Sequence, residues 1–435
     1  MPEVGLRILI ACEHASAQFG GEAALPLHYF RVLRARGADV WLLTHARTRD
    51  ELARLFPGET RIRHVEDTRL NRAMWWLSQR LPAQIAYFST GFVSRLATQL
   101  AQRRIARRLV RDERIDVIHQ PMPVSPREPS MLFGLGAPVV IGPMNGGMDY
   151  PPAFRHHRRL LERVLLAAGR VSASVSNALM PGKRRAACLL VANARTRAAL
   201  PPGVCRQALT LVENGVDLSL WQPDAIEPAA TPHDIVTFAF VGRLVDWKAV
   251  DLLLQAFCRA SRQQRMALLV IGDGAERAAL ERLADMLGVR QATPDGPGVC
   301  FTGWLPQAAC ARRLQRTDAL VLPSLLECGG AVVLEAMAMG KPVIATAWGG
   351  PLDYLDAQCG VLVEPAGRNS LVQGLADAMV RLAASPSLRR ELGRHGREKA
   401  RRDYDWEVKV DRILAVYRLA VRQSRRNERV VPARV

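Results

Sequence analysis

The chain of 435 residues has few lysines (Lys183, Lys248, Lys341, Lys399 and Lys409 among 60 basic residues), only 6% aromatic residues, and no Cys-x-x-Cys pair. Each shortage narrows the field. Without paired cysteines or a histidine cluster at ligand spacing, Cys12, Cys188, Cys205, Cys258, Cys300, Cys310, Cys328 and Cys359 read neither as a zinc site nor as a disulfide framework. Reduced thiols in a cytoplasmic protein are the expectation. No apolar run approaches the roughly 20 residues that a bilayer crossing requires, so any membrane contact should be peripheral. The opening MPEVGLRILIAC is broken by Arg7 and is followed by no cleavage-like stretch, which favours a buried first strand over a signal peptide. The scarcity of aromatics and the lack of a base-reading motif argue against a nucleic-acid partner, a reading that charge alone would otherwise admit.

What is present is a large stock of core residues, 49% hydrophobic against 23% charged, on a chain long enough for two domains. The net charge is +19, and it is lopsided: residues 1–215 hold 31 basic and 16 acidic side chains, residues 216–435 hold 29 and 25. A surface this basic should attract anions, with phosphate the common denominator, although preference for Arg over Lys also fits genomic base composition.

Short apolar runs alternate with helix-length amphipathic segments, the pattern of parallel sheets wrapped by helices. LRILIA (6–11), DVWLLT (39–44), IDVIHQ (115–120), PVVIG (138–142), CLLVAN (188–193) and ALTLVEN (208–214) read as a first series of strands, with a helix over 23–36 that stops at Gly37. After QPDAIEPAATPHD (222–234) the pattern restarts with TFAFVG (237–242), MALLVIG (266–272), VCFTG (299–303), DALVLP (318–323), PVIAT (342–346) and GVLVE (360–364). The expected layout is a first domain over 1–215, a second over 216–404, and a C-terminal helix over 405–435 that could pack back on the first.

In open parallel sheets, ligands settle at the carboxyl ends of strands, where helix N-termini offer free N–H groups to phosphate. The chemistry-bearing residues cluster at such places. In SLLECGGAVVLEAMAMGKPVIAT (324–346) a loop carries Glu327 and Gly329-Gly330, and a helix starting near Ala331 carries Glu335. Two glycines let backbone approach a ligand, and the carboxylates can accept hydrogen bonds from sugar hydroxyls; a buried helix with a paired Glu is the plain alternative. Upstream, VGRLVDWKAVDLLLQAF (241–257) sets Arg243 and Lys248 in a strand-to-helix turn, where two cations could neutralise a departing diphosphate. VIGDGAERAAL (270–280), with Gly272 and Gly274, and FTGWLPQ (301–307) add two more such turns.

These motifs, in this order and approximate spacing, resemble glycosyltransferase family 4, the retaining GT-B enzymes; NGVD (214–217) and Gly20-Gly21 after the first strand add to the likeness. The resemblance implies a GT-B α/β fold, two Rossmann-like parallel-sheet domains facing across a cleft, and a hexose moved from a UDP- or GDP-linked donor with retention of configuration. By position it implies that Arg243 and Lys248 hold the donor diphosphate, Glu335 the ribose, and Glu327 the transferred sugar. Gly272, Gly274, Gly329, Gly330 and Ala331 would line the donor site, and Gly20 and Gly21 would close over the phosphates. His119 matches a histidine beside the reacting carbon, though a strand-end histidine can equally be a hydrogen-bonded structural residue. Cys328-Gly329-Gly330 stands where the family often has Gly-Phe-Gly, which leaves the sugar open. No cofactor or metal is implied, since Arg243 and Lys248 supply positive charge, and Asp403-Tyr404-Asp405 lies away from the strand ends.

The glycine-rich IGPMNGGMDYPP (141–152) carries Asn145 and could shape an acceptor site or be only a tight turn. Arg103, Arg104, Arg107 and Arg108 recur at helical spacing, and Trp75-Trp76 stands among basic neighbours. Indoles and a cationic stripe suit an anionic membrane surface, the alternative being a solvated arginine face with core tryptophans. On the membrane reading the acceptor is a lipid-linked saccharide, the protein is peripheral on the inner face of the plasma membrane, and its product is an envelope or exopolysaccharide. A GT-B epimerase or phosphorylase is the competing activity.

Overall fold

The computed structural model describes residues 5–82, 85–86, 89–157, 160–205, 207–223, 235–291 and 296–430, without the side chains of 156–168 and 427–430. The expected linker over 222–234 lies mostly outside them. The chain forms two compact units, one of Met1–Gly147, Arg159–Glu213 and Lys409–Val435, the other of Met148–Arg158 and Asn214–Val408. The units therefore interleave along the chain, and the helix Trp406–Val430 is shared out at Val408/Lys409.

The first unit holds a seven-stranded sheet in the order β3-β2-β1-β4-β5-β6-β7. Its strands are β1 Arg7–Ala11, β2 Asp39–His45, β3 Ile62–Val65, β4 Val117–Gln120, β5 Val139–Met144, β6 Cys188–Val191 and β7 Ala208–Thr210. All neighbours run parallel. Central strands β4, β5 and β6 are buried along their whole length, as required of strands covered on both faces, and this is why β5 and β6 read as apolar runs. Strand β3, IRHV, escaped the sequence reading because it is an edge strand with polar residues at its centre.

The second unit holds a six-stranded sheet in the order β10-β9-β8-β11-β12-β13. Its strands are β8 Val236–Val241, β9 Met266–Ile271, β10 Gly298–Gly303, β11 Ala319–Leu322, β12 Val343–Thr346 and β13 Gly360–Val363. Counted from its own first strand this is the doubly wound order 3-2-1-4-5-6, and the first sheet repeats it with one strand added. In each sheet the order reverses between the first and fourth strands, β1/β4 and β8/β11. Loops leaving the carboxyl ends of those pairs diverge to opposite faces and open a crevice, which is where the motifs lie.

None of the eight cysteines is in a disulfide, and among the described residues no helix is long and apolar enough to cross a membrane.

Candidate active site

At the carboxyl end of β8 the chain turns through Gly242 and Arg243 into a single 3-10 turn, Asp246–Lys248, and then the helix Val250–Ala260. That helix buries Leu252, Leu253, Leu254, Ala256 and Phe257, an apolar face that fixes where the turn sits. The turn is pinned from two sides, by Leu244 N–H to the Asp273 carbonyl at 2.9 Å and by Leu325 N–H to the Trp247 carbonyl at 2.9 Å. Ala249 closes it in the left-handed conformation, φ 50°. Gly272 and Gly274 have a packing reason to be glycine: a Cβ would stand 1.9 Å from the Gly242 carbonyl oxygen in one case and 2.3 Å from that of Leu244 in the other. The loops after β8 and β9 thus touch backbone to backbone.

From β11 the chain passes through Ser324 and Glu327 to Gly330, whose φ of 78° starts the helix Ala331–Ala338 without a side-chain cap. Val333 N–H turns back to the Gly330 carbonyl at 2.9 Å, while the N–H groups of Ala331 and Val332 have no partner among the described residues. Lys248 and Glu327 join the β8 and β11 loops in an ion pair between Nζ and Oε2, with side chains only 16% and 12% exposed. The loop after β12 braces the same stretch: Gly350 donates to the Glu327 carbonyl at 2.8 Å, and a Cβ there would meet the Gly329 oxygen at 2.2 Å. Arg243 is exposed and makes no ion pair or hydrogen bond among the described residues. Glu335 likewise has no side-chain partner among them, and burial pushes its carboxyl up to about 8. One edge thus carries a free guanidinium, a closed Lys–Glu pair, an uncapped helix start and an unpaired carboxyl.

The first sheet's edge is built differently. Gly20, φ 95°, and Gly21 are exposed at the start of the helix Gly21–Ala35, with nothing within 4 Å of where their Cβ atoms would be. The preceding loop is tied down by buried Glu51, which takes the Ser16 hydroxyl on one oxygen and the Ala17 N–H, at 2.8 Å, on the other. His119 is wholly buried, with Nε2 2.6 Å from the Gly142 carbonyl, Nδ1 2.7 Å from the Tyr417 hydroxyl, and its ring edge-on to Tyr29. Burial lowers its pKa to about 4, so the ring is neutral. Both nitrogens are occupied, and the histidine ties β4 to β5 and to the C-terminal helix. Asn145 is buried too, donating to Glu213 at 2.7 Å and accepting from the Thr196 hydroxyl at 3.2 Å.

Residues 222–399 match the family Glycosyl transferases group 1. Over 225 residues the chain is 33% identical to a D-inositol 3-phosphate glycosyltransferase of Kribbella flavida, covering 48% of this chain and 50% of that protein. It is 30% identical over 233 residues to a glycogen synthase of Mycobacterium tuberculosis, covering 53% of each. The chain thus spans about half the length of the curated relatives it matches. Similar solved structures extend over nearly all of it. Anabaena HepE, crystallised with UDP and glucose, superposes with a TM-score of 0.63 at 16% identity over 94% of this chain and 99% of that one. WaaG, a glycosyltransferase involved in lipopolysaccharide biosynthesis, gives 0.58 at 17% over 94% and 99%. Likeness at this identity establishes the fold, two Rossmann-like parallel-sheet domains of the GT-B class.

The group 1 match covers the turns after β8, β9, β10 and β11, and so includes Arg243, Lys248, Glu327 and Glu335. The arginine stripe lies outside it, on the helix Thr90–Asp112. There Arg104, Arg107 and Arg108 are exposed, whereas Arg103 lies half-buried with its guanidinium 3.9 Å from the centre of the Phe133 ring. Trp75 and Trp76 are not core residues: they are 62% and 58% exposed on the helix Arg69–Ser78, which Asn71 anchors through Ser94 and Thr98. Three things escaped the sequence reading around the group 1 turns: the Trp247–Leu325 brace, the Gly349-Gly350 packing, and the pairing of Lys248 with Glu327. Distance along the chain hid them, since their partners are 78 or more residues apart in two of the three.

Proposed function

We propose that the protein is a retaining glycosyltransferase that moves a hexose from a nucleoside-diphosphate sugar, UDP- or GDP-linked, to a lipid-linked saccharide in cell-envelope or exopolysaccharide synthesis. The observation that carries the transfer reading is the Lys248–Glu327 pair at the β8/β11 switch point, beside exposed Arg243 and the uncapped start of the helix Ala331–Ala338. Breaking the glycosidic bond leaves a positive sugar carbon and a negative diphosphate. Arg243, Lys248 and the helix start stabilise the second, so the step needs no metal, and Glu327 accepts from hydroxyls of the sugar that remains. The Lys–Glu pair keeps both groups oriented before the donor arrives, and Glu335, unpaired one turn into the helix, is placed for a ribose hydroxyl. Solved UDP complexes of a structural neighbour favour a UDP donor.

A thermal-shift screen tests the reading, because a ligand that binds only the folded chain raises its melting temperature. UDP or GDP and one of their hexose conjugates should raise it; no shift with any nucleotide removes the proposal. The lipid-linked acceptor rests on exposed Trp75 and Trp76 next to the basic helix, a combination suited to an anionic headgroup layer on the inner face of the plasma membrane. The chain should co-sediment with phosphatidylglycerol vesicles at low salt and lose them on W75A/W76A substitution. Equal sedimentation of both proteins would detach the tryptophans from the acceptor reading.

A further inference from the structure

We propose that a cavity at the carboxyl ends of β1 and β4, within the first unit, is a sugar-ring subsite that takes an uncharged or amine-bearing ring and rejects a phosphorylated one. The inference rests on the transferase reading and gives the acceptor ring a chemical class.

Two amide side chains build the floor of this cavity. Gln120 and Gln102 both line it, and each is only 2% exposed. Gln120 Oε1 accepts from the Ser130 hydroxyl at 2.6 Å, and that hydroxyl itself accepts from Leu132 N–H at 3.1 Å. Its Nε2 donors have no protein partner among the described residues. Gln102 is arranged in the opposite sense, with Nε2 donating to the Cys12 carbonyl at 2.5 Å and Oε1 left without a partner. An amide donor and an amide acceptor therefore face the open space of one cavity without a protein partner among the described residues, held by a strand end and by the helix Thr90–Asp112. A hydroxyl gives and takes one hydrogen bond, and a ring with several hydroxyls satisfies both amides. A phosphate only accepts, and would face the Gln102 oxygen with another oxygen.

Charge selects further. The cavity is lined by Glu13, Glu22 and Glu128 against one guanidinium, Arg95, which is already paired with Glu128 at 2.6 Å. His14, the remaining titratable group in the wall, adds no positive charge near neutrality, because burial lowers its pKa to about 4. Burial raises the pKa of all three carboxyls, and the neighbouring Glu128 and Glu213 raise that of Glu22 further, so acid is concentrated here on a half-chain with 31 basic and 16 acidic residues. Glu22 lines the cavity from the exposed first turn of the helix Gly21–Ala35.

Ligand-observed NMR titrations of the full chain with glucosamine, glucose and glucose 6-phosphate, without nucleotide, decide the matter. Glucosamine should bind about tenfold more tightly than glucose 6-phosphate, with glucose between them. Glu22→Gln should shrink that ratio to about threefold or less, as one charge is removed. Gln120→Met, close in shape, should weaken all three sugars while the melting temperature stays near that of the parent. Equal or tighter binding of glucose 6-phosphate, no binding of any of the three, or affinities unmoved by both substitutions would overturn the proposal. A UDP-induced rise in melting temperature of the same preparation reports on the other unit. With that rise present, failure here sinks the subsite alone; with it absent, the donor reading fails instead.

Discussion

The two sheets share a strand order but differ at their carboxyl edges. In the second unit the switch point presents groups that the fold leaves available: exposed Arg243, unpaired Glu335, and an uncapped helix start behind Gly330. In the first, two residues at the corresponding strand ends are absorbed by the fold, His119 bonded at both nitrogens and Asn145 holding Glu213 and Thr196. A shared order of strands fixes where a site can form, while the side-chain network decides whether anything there is free to act. Position at a strand end is thus a weaker guide than an unsatisfied polar group at a strand end.

The comparison breaks most visibly at Lys248. Lys248→Ala should lower turnover of the nucleotide-sugar donor by about 10³-fold, the scale seen when one fixed charge-stabilising donor is lost. Because Glu327 would then be left unpaired and mostly buried, melting should also fall. Lys248→Ala/Glu327→Gln should recover the melting temperature without recovering turnover. Recovery of both would make the pair structural, like its counterparts around His119.

Glycines give the next largest contrast, now in stability. Gly272→Ala drives a Cβ to 1.9 Å from the Gly242 oxygen, and should cost about 2–4 kcal/mol of unfolding free energy in urea titrations. Gly20→Ala meets no atom within 4 Å, and only its φ of 95° resists the change, for a cost of about 1 kcal/mol. Similar losses at both positions would mean that the first loop is as tightly packed as the second.

The strand ladder was legible in the sequence because buried parallel strands are mostly apolar, and twelve of the thirteen strands among the described residues were read within a few residues. Edge strand β3 was not, since IRHV carries its polar residues where pattern recognition looks for apolar ones. The turns after β8, β9, β10 and β11 were legible through glycine and charge at strand ends. What stayed hidden was which charges pair: Lys248 and Glu327 look like two independent binding groups in sequence, and His119 looks free until Tyr417, 298 residues away, appears at its Nδ1. The tryptophans show the opposite failure, because local sequence cannot say which face of a short helix the fold covers.

Glu335 sharpens the comparison by the smallest measurable effect. Burial without a partner holds its carboxyl at about 8 in the folded chain against an ordinary value of 4.5, so between those limits the native state keeps a proton that the unfolded state has lost. Stability contributed this way is present below pH 4.5 and is lost as pH rises toward 8. Glu335→Gln cannot titrate, so at pH 8 it should melt roughly 2–4 °C above the parent, with the gap closing as pH falls toward 5. A ribose hydroxyl donating to Glu335 favours the ionised carboxylate, and UDP binding should then release a proton. UDP affinity should accordingly rise with pH between 6 and 8 more steeply in the parent than in Glu335→Gln, the titration of UDP itself being common to both. Equal slopes would mean that the nucleotide does not reach this carboxyl, and the unpaired Glu335 would mark a cost of the fold rather than a binding group.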